Sequence, residues 1–405
     1  MDTRDAEPTH FQTMKHVLWA HKGRIVTGVI LIATVSGVMS MVMPYLRERR
    51  IAKRCEGYEG KVQFQYRGPN WIPLSLRDNL PFFTRITDIR LRSEILPSNL
   101  VSGFWTLDKL EYLDLGGIPI TDSELTGVKD LTKLREINFN VTKITDAGLE
   151  YLQGMTNLER LLLHGTSING TGFSHLKGLT KLSTLIISET KVTDVGLSHL
   201  NGLTGLRELW LHHTQITDEG MWHLAGLPNL TSLNISQTKV GDAGLEHLKK
   251  RICPLPLWLG LVGTQITDKG LEHLVGHTEL YGFDLSLTQI TDEGLKHLSG
   301  HTELHELVLT LTQITDEGLK HLKDLPNLSR LSLNNPDASV LEAAIAAGRI
   351  ERRDIHMTHI TDEGLEALKS HSKLTELKLE NTQTTPEGRA ELRKALPHCK
   401  ITPDP

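Results

Sequence analysis

The sequence predicts an α/β solenoid, with a parallel sheet along a concave side and helices along a convex side, preceded by one transmembrane helix. First, an Ile-Thr-Asp-x-Gly-Leu-x-His-Leu box followed by Leu-x-x-Leu-x-Leu-x-x-Thr recurs about twelve times, at a spacing of 24 residues. Self-similarity at such a period marks stacked units, none of which buries its apolar face alone. Second, the apolar spacing changes inside each copy. In the copy beginning at Ile216, Met221 and Leu224 lie three apart as on one helical face, whereas Leu233-Asn234-Ile235 alternates like a strand. Third, residues 25–43 carry no charge and are rich in Val, Ile and Met.

Taken in order, residues 1–24 are a tail and 25–43 the transmembrane helix. A helix of 19 residues spans about 29 Å, close to the ~30 Å hydrocarbon core. Trp19 and Tyr45 stand at the interfacial positions, and Lys22, Arg24, Arg47, Arg49 and Arg50 fence the ends. A cleaved signal peptide is the competing reading. The run is longer than the usual apolar core of such a peptide and lacks a small-x-small site before Pro44. The expected localisation is therefore a single-pass membrane anchor. The side of the membrane stays open, since three basic residues flank the N-side and five the C-side within fifteen positions.

Residues 44–61 read as a basic juxtamembrane linker and 62–88 as an N-terminal cap. In the cap, Val62, Phe64 and Tyr66 alternate as a strand, Gly68-Pro69-Asn70 turns, and Trp71 to Leu80 suits a short helix. Ile86-Thr87-Asp88 mimics the repeat box, but its spacing to Ile89 and Leu91 places it on the strand side. The array runs over 89–383, and 384–405 closes it with a last helix and strand. Inward strand residues are expected at Ile89, Leu113, Ile137, Leu161, Leu185, Leu209, Leu233, Leu259, Phe283, Leu307, Leu331, Arg353, Leu377 and Cys399. Each begins one rung of a parallel ladder.

The string Leu206-x-x-Leu209-x-Leu211-x-x-Thr214-x-Ile216 resembles the leucine-rich-repeat signature, with Thr at the usual Asn or Cys. The Ile-Thr-Asp-x-Gly-Leu box resembles the repeats of F-box leucine-rich-repeat proteins, and more closely the 24-residue repeats of bacterial membrane-anchored leucine-rich-repeat proteins. The resemblance covers about residues 62–402. It implies a leucine-rich-repeat horseshoe and recognition of a partner, usually a protein. It does not imply ubiquitin-ligase activity, because no F-box-like domain fits within residues 1–61.

Two units depart from the pattern. Val240 to Gln265 is two residues longer, with Cys253-Pro254 and Pro256 where helix-to-strand leucines belong, so its outer helix must end early or detour. Ala338 to His359 is a 22-residue unit with Pro336 in the Thr column and Arg353 at an inward position. An inward Arg needs Glu351 or Asp354 as partner, or a shifted register that turns it outward. The shift is the reading adopted.

Several columns bear on chemistry. Thr142, Thr166, Thr190, Thr214, Thr238, Thr264, Thr288, Thr312, Thr358 and Thr382 read as a ladder of hydroxyls satisfying turn backbone. Asp122, Asp146, Asp194, Asp218, Asp242, Asp268, Asp292, Asp316 and Asp362 stand at helix starts, where carboxylates satisfy free N–H groups. No calcium-ligand loop accompanies them. His175, His199, His223, His247, His273, His297 and His321 form a column on the convex side. His273 with His277 and His297 with His301 add two i, i+4 pairs, the low-priority candidates for a metal. A metal-dependent or saccharide-binding role of this convex face is the alternative function.

On the concave side the outward residues are expected to be Arg90, Asp114, Asn138, Leu162, Ile186, Trp210, Asn234, Gly260, Asp284, Val308, Ser332, Asp354 and Lys378. Leu162, Ile186 and Trp210 are consecutive, with Glu208, His164, His212 and His213 around them. That makes an apolar patch with a polar rim and an anchoring Trp, the composition that binding hot spots favour. Leu287, Val308 and Leu311 form a weaker second patch.

The chain has 44 Lys and Arg against 49 Asp and Glu, and its concave columns hold few basic residues, which argues against nucleic acid as partner. No phosphate-binding Gly loop, Cys-x-x-Cys, Gly-x-Ser-x-Gly or His-Glu-x-x-His is present. The expectation is therefore no enzyme, no cofactor and no catalytic residues, with protein recognition as the function. Cys55, Cys253 and Cys399 fall too far apart along the array for an intramolecular disulfide.

Overall fold

The computed structural model describes residues 36, 39–40, 42–68, 70, 72–77, 81–91, 98–248, 257–277, 279–336 and 356–404, without the side chains of 76, 82, 98 and 99. The chain divides into two compact units, Met1–Ile89 and Arg90–Pro405.

In the first unit, residues 42–56 are helical, so most of the stretch read as a linker is a helix. One face buries Ile51, Ala52 and Cys55, and Glu48 sits among them at 1% exposure. A buried carboxylate needs partners. Glu48 accepts a hydrogen bond from the Ile86 N–H at 2.7 Å and lies 3.8 Å from Arg85 Nε. Arg49 lies over the Phe64 ring, 4.4 Å from its centroid. Two strands follow, Lys61–Tyr66 and Thr84–Arg90, with a one-turn helix Leu74–Arg77 between them. Ile86-Thr87-Asp88 lies within the second strand, as its spacing requires. The apolar run 25–43 falls largely outside the described residues, and no described helix is long and apolar enough to cross a membrane.

The second unit is a ladder of twelve short strands, from Tyr112–Asp114 to Lys400–Thr402, paired in parallel in chain order. Leu113 pairs with Ile137, Ile137 with Leu161, Leu161 with Leu185, and Leu185 with Leu209. These inward residues are fully buried. A slip of one residue would turn every one of them to solvent, which is why the leucine spacing sets the register. The other face of the sheet is open. Short α and 3-10 helices, such as Asp218–Ala225 and Asp146–Leu152, line the opposite side.

Two side-chain columns recur along the array, one bonding within units and one between them. Column Thr residues donate to the carbonyl three residues before them, Thr142 to Phe139, Thr190 to Ile187 and Thr214 to Leu211 at 2.6–2.7 Å, whereas Thr358 donates to Leu309 O at 3.2 Å. This satisfies a buried carbonyl where the chain leaves the strand. The Asp column reaches across repeats. The Asp268 carboxylate accepts from Thr291 N and Thr291 Oγ1 at 2.9 and 2.7 Å, and Asp292 treats Thr315 in the same way. Asp268 and Asp292 therefore hold the helix start of the next unit, while Thr291 and Thr315 cap their own helices by accepting from Glu293 N and Glu317 N. That contact explains the glycine of the box. A Cβ at Gly294 would meet Asp268 Oδ1 at 2.3 Å, and one at Gly318 would meet Asp292 Oδ1 at 2.2 Å.

Two rungs differ from the sequence expectation. The strand Arg330–Ser332 pairs directly with Glu376–Lys378, Leu331 opposite Leu377. No rung at Arg353 stands between them, and Arg353 and Asp354 lie outside the described residues. The physical reason is that the ladder closes leucine on leucine, Leu331 against Leu377, and so keeps its core apolar. The last rung also shifts. Leu377 pairs with Ile401, not Cys399, because the turn after the helix Pro386–Ala395 occupies residues through Cys399. The longer unit's Cys253, Pro254 and Pro256 lie outside the described residues. Beyond them, the pairing of Leu257–Gly260 with Leu280–Asp284 is irregular between Leu280 and Gly282, leaving Tyr281 bulged and exposed. Cys55 and Cys399 are buried free thiols, each pushed up to about 11 by burial.

Candidate functional site

The site begins with a backbone device that recurs along the ladder. Just beyond five successive strands one residue takes a left-handed conformation: Val141, Gly165, Glu189, His213 and Gln237, with φ of 55, 67, 53, 54 and 55°. That turn aims its N–H at the next unit, so Val141 N–H donates to His164 O, Glu189 N–H to His212 O and His213 N–H to Ser236 O at 2.7–3.0 Å. Non-glycine residues tolerate this conformation at some cost, which the bond between rungs offsets. As a result, the side chains of Glu189 and His213 project at the edge of the open face, beside the residues that precede them.

On that face Leu162, Ile186 and Trp210 stand opposite one another on three consecutive strands, as the sequence predicts. Leu162 and Ile186 are half-buried and Trp210 is 37% exposed. Two positions earlier in each strand, on the same face, runs a polar row. Arg160 Nε lies 3.3 Å from Glu136, Arg160 Nη1 donates to Thr184 Oγ1 at 3.3 Å, and Thr184 Oγ1 donates to Glu208 at 3.3 Å. Such exposed pairs contribute little stability and act mainly as a polar border. Two strands on from Trp210, the Trp258 side chain lies over Gly260 and Gly282, where added Cβ atoms would meet the ring at 2.9 and 2.6 Å. The sequence analysis missed Trp258. The signal was glycine opposite Trp258 at position 282 and two residues beyond it at 260, which leaves a shallow bed for an indole.

The polar rim also gathers tightly. His164, Glu189 and His212 offer ligand atoms that all lie within 4.8 Å of one another. His164 Nε2 is 4.0 Å from Glu189 Oε2, and the His164 and His212 rings are 6.1 Å apart. His212 Nδ1 bonds Ser188 Oγ at 2.8 Å. Burial, then the neighbouring His164 and His213, holds the His212 imidazole below its ordinary value. His213 stands edge-on to His212 at 6.2 Å, and the Trp210 ring is 6.3 Å from His212.

The helix-side histidines are arranged differently from the expectation. His273 and His297 are half-buried, but His301 faces the core at 1% exposure. Its Nδ1 lies 3.0 Å from Leu298 O and its Nε2 3.1 Å from Leu274 O, so neither nitrogen is presented outward. His277 approaches Glu279 at 3.9 Å. Among the described residues these four form no group of converging ligand atoms. The second apolar patch is also incomplete, since Leu311 is 2% exposed.

The leucine-rich-repeat family model matches residues 226–249, 283–299 and 301–323. The repeats are leucine-rich repeats. Among solved structures, the leucine-rich-repeat chain is similar to an internalin of Listeria monocytogenes, with 25% identity, a TM-score of 0.53, and 78% of this chain and 86% of that one covered. A leucine-rich-repeat protein of Leptospira interrogans shares 19% identity over 77% of this chain and 82% of its own, with a TM-score of 0.42. Internalin C2 of Listeria monocytogenes shares 26% identity over 57% and 82%, with a TM-score of 0.34. No curated protein matches the sequence. The fold is thus a leucine-rich-repeat solenoid.

Proposed function

We propose that this leucine-rich-repeat protein is a membrane-tethered receptor for another protein, which it captures on the open face of its sheet. The observation that carries this is the row Leu162, Ile186, Trp210 on three adjacent rungs, apolar side chains left partly in water beside a polar border. A half-exposed Trp on a rigid sheet loses little entropy on contact and buries a large apolar area, the property of a binding hot spot. Trp258 extends the apolar strip further along the ladder. The tether is the apolar run 25–43, which leads into the helix at 42–56.

Proximity labelling with the full chain as bait identifies the neighbour and the compartment, and carbonate extraction reports the tether. Trp210→Ala weakens capture of that neighbour at least tenfold, the threshold expected of a hot spot. Its melting temperature stays that of the parent, because the indole is over one-third exposed. Undiminished capture by the variant rejects the patch.

A further inference from the structure

We infer that His164, Glu189 and His212 form a binding site for a single Zn²⁺ ion at the edge of the apolar row. The three come from three consecutive repeats, and no two are close in sequence. Their ligand atoms already lie within 4.8 Å of one another. Tetrahedral zinc with ligands at about 2.0–2.1 Å holds its donors roughly 3.4 Å apart. Closing the difference takes a small side-chain rotation at His164 and Glu189, whose side chains are 31% and 46% exposed and free of packing on one side.

Three further features distinguish this group from a simple surface ion pair. The donor set, two imidazoles and one carboxylate, suits zinc and other borderline ions, whereas Ca²⁺ and Mg²⁺ select all-oxygen cages. His212 is oriented by Ser188, whose buried hydroxyl bonds Nδ1 at 2.8 Å and leaves Nε2 as the nitrogen to bind an ion. That is the arrangement by which metal-binding histidines are commonly fixed. Glu189 is set by the backbone, because its left-handed turn bonds its N–H to His212 O at 2.9 Å. Two imidazoles beside one carboxylate also leave a charge of the right sign for a cation.

Three protein ligands leave a fourth position of a tetrahedral ion open. The Trp210 ring of the apolar row lies near the site, 6.3 Å from the His212 ring. The ion can therefore accept a carboxylate or imidazole from a partner docked on the apolar row, and this second step rests on the protein-recognition reading above. Binding of the ion itself does not.

The test uses the full chain in detergent, stripped with a chelator and titrated calorimetrically with ZnCl₂ alone. One Zn²⁺ per chain is expected at this site. Glu189→Gln, a surface turn substitution, and His212→Ala each lower its affinity at least tenfold, while the double variant His273→Ala/His297→Ala leaves it unchanged. Co²⁺ in place of Zn²⁺ should give visible absorption of a tetrahedral centre that Glu189→Gln alters. Absence of uptake by the parent overturns the site, as does uptake insensitive to Glu189→Gln and His212→Ala together. Trp210→Ala separates the two readings: it should lose the partner yet keep the ion. Loss of zinc with capture intact in Glu189→Gln would confine the ion to a role outside recognition.

Discussion

The rungs from Glu136–Asn138 to Glu208–Trp210 and the pair Arg330–Ser332 with Glu376–Lys378 make the same contacts over different lengths of chain. In the first region, facing residues such as Leu161 and Leu185 are 24 apart. In the second, Leu331 and Leu377 are 46 apart, yet the leucines face as before. The stitch survives as well. Asp316 accepts from Thr361 N and Thr361 Oγ1 at 2.9 and 2.6 Å, as Asp268 does from Thr291. Asn335 stands where the chain leaves the ladder and Thr358 where it returns. Asn335 Oδ1 accepts from Thr358 N at 2.9 Å, and its Nδ2 donates to Thr358 O and Asn381 O. Adjacency in the solenoid thus follows from matching side chains and not from contiguity in sequence. The chain can leave one repeat in mid-course and resume it with Thr358-His359-Ile360-Thr361-Asp362, the counterpart of Thr312-Gln313-Ile314-Thr315-Asp316.

The comparison can be broken most sharply at its glycines. A Cβ at Gly294 or Gly364 would meet the preceding Asp at 2.3 Å in each case. Gly294→Ala and Gly364→Ala should each cost about 3 kcal/mol by urea denaturation, from a forced displacement and two weakened hydrogen bonds. A much smaller loss at Gly364 would mean that the interrupted repeat is held more loosely than the regular one. Next in size, Asn335→Ala should cost about 2 kcal/mol, because its amide is buried and serves both strands of the junction. A cost near zero would show that the re-entry is held by the leucines alone. Removing 336–357, which joins Asn335 to Thr358 and restores the regular spacing, should change stability by less than about 1 kcal/mol. Aggregation or loss of cooperative melting in that variant would show that the removed residues hold the rungs together.

The smallest effect concerns pH. Burial pushes the Asp284 carboxyl upward, against the downward pull of its bonds from Ser286. The unfolded chain then loses its proton first as pH rises. Stability from this group is therefore full below the ordinary carboxylate value and declines as pH climbs through the folded one. Asn138 and Asn234 occupy the same strand position and accept the same turn bond, from Asn140 N and Ser236 N. Asp284→Asn should therefore preserve the fold and flatten the dependence of melting temperature on pH above about 4. An unchanged slope would locate the titrating group elsewhere.

Much of this was legible in the residues. The leucine spacing sets which side chains enter the core, because a strand alternates and a wrong register exposes an entire column. It therefore also places Leu162, Ile186 and Trp210 in one row. The Thr ladder was legible for the same reason, since a hydroxyl beyond each strand has a carbonyl within reach. The box glycine was visible as a pattern, but its cause was not, because the carboxylate that occupies its Cβ space belongs to the preceding repeat. His301 looked like an outer ligand from its helical spacing. Its ring turns inward because a core position vacated by leucine accepts a side chain that can meet two carbonyls.

What the sequence by itself determined is the repeating unit and the face each strand residue takes, both of which follow from local periodicity and the cost of exposing leucine. What only the tertiary structure decided is which units are neighbours and which rim residues converge. Leu331 pairs with Leu377 across 46 residues of chain, because the ladder selects a partner by fit. His164, Glu189 and His212 meet because a left-handed turn brings Glu189 beside the column that His164 and His212 share, a displacement that no spacing along the chain records.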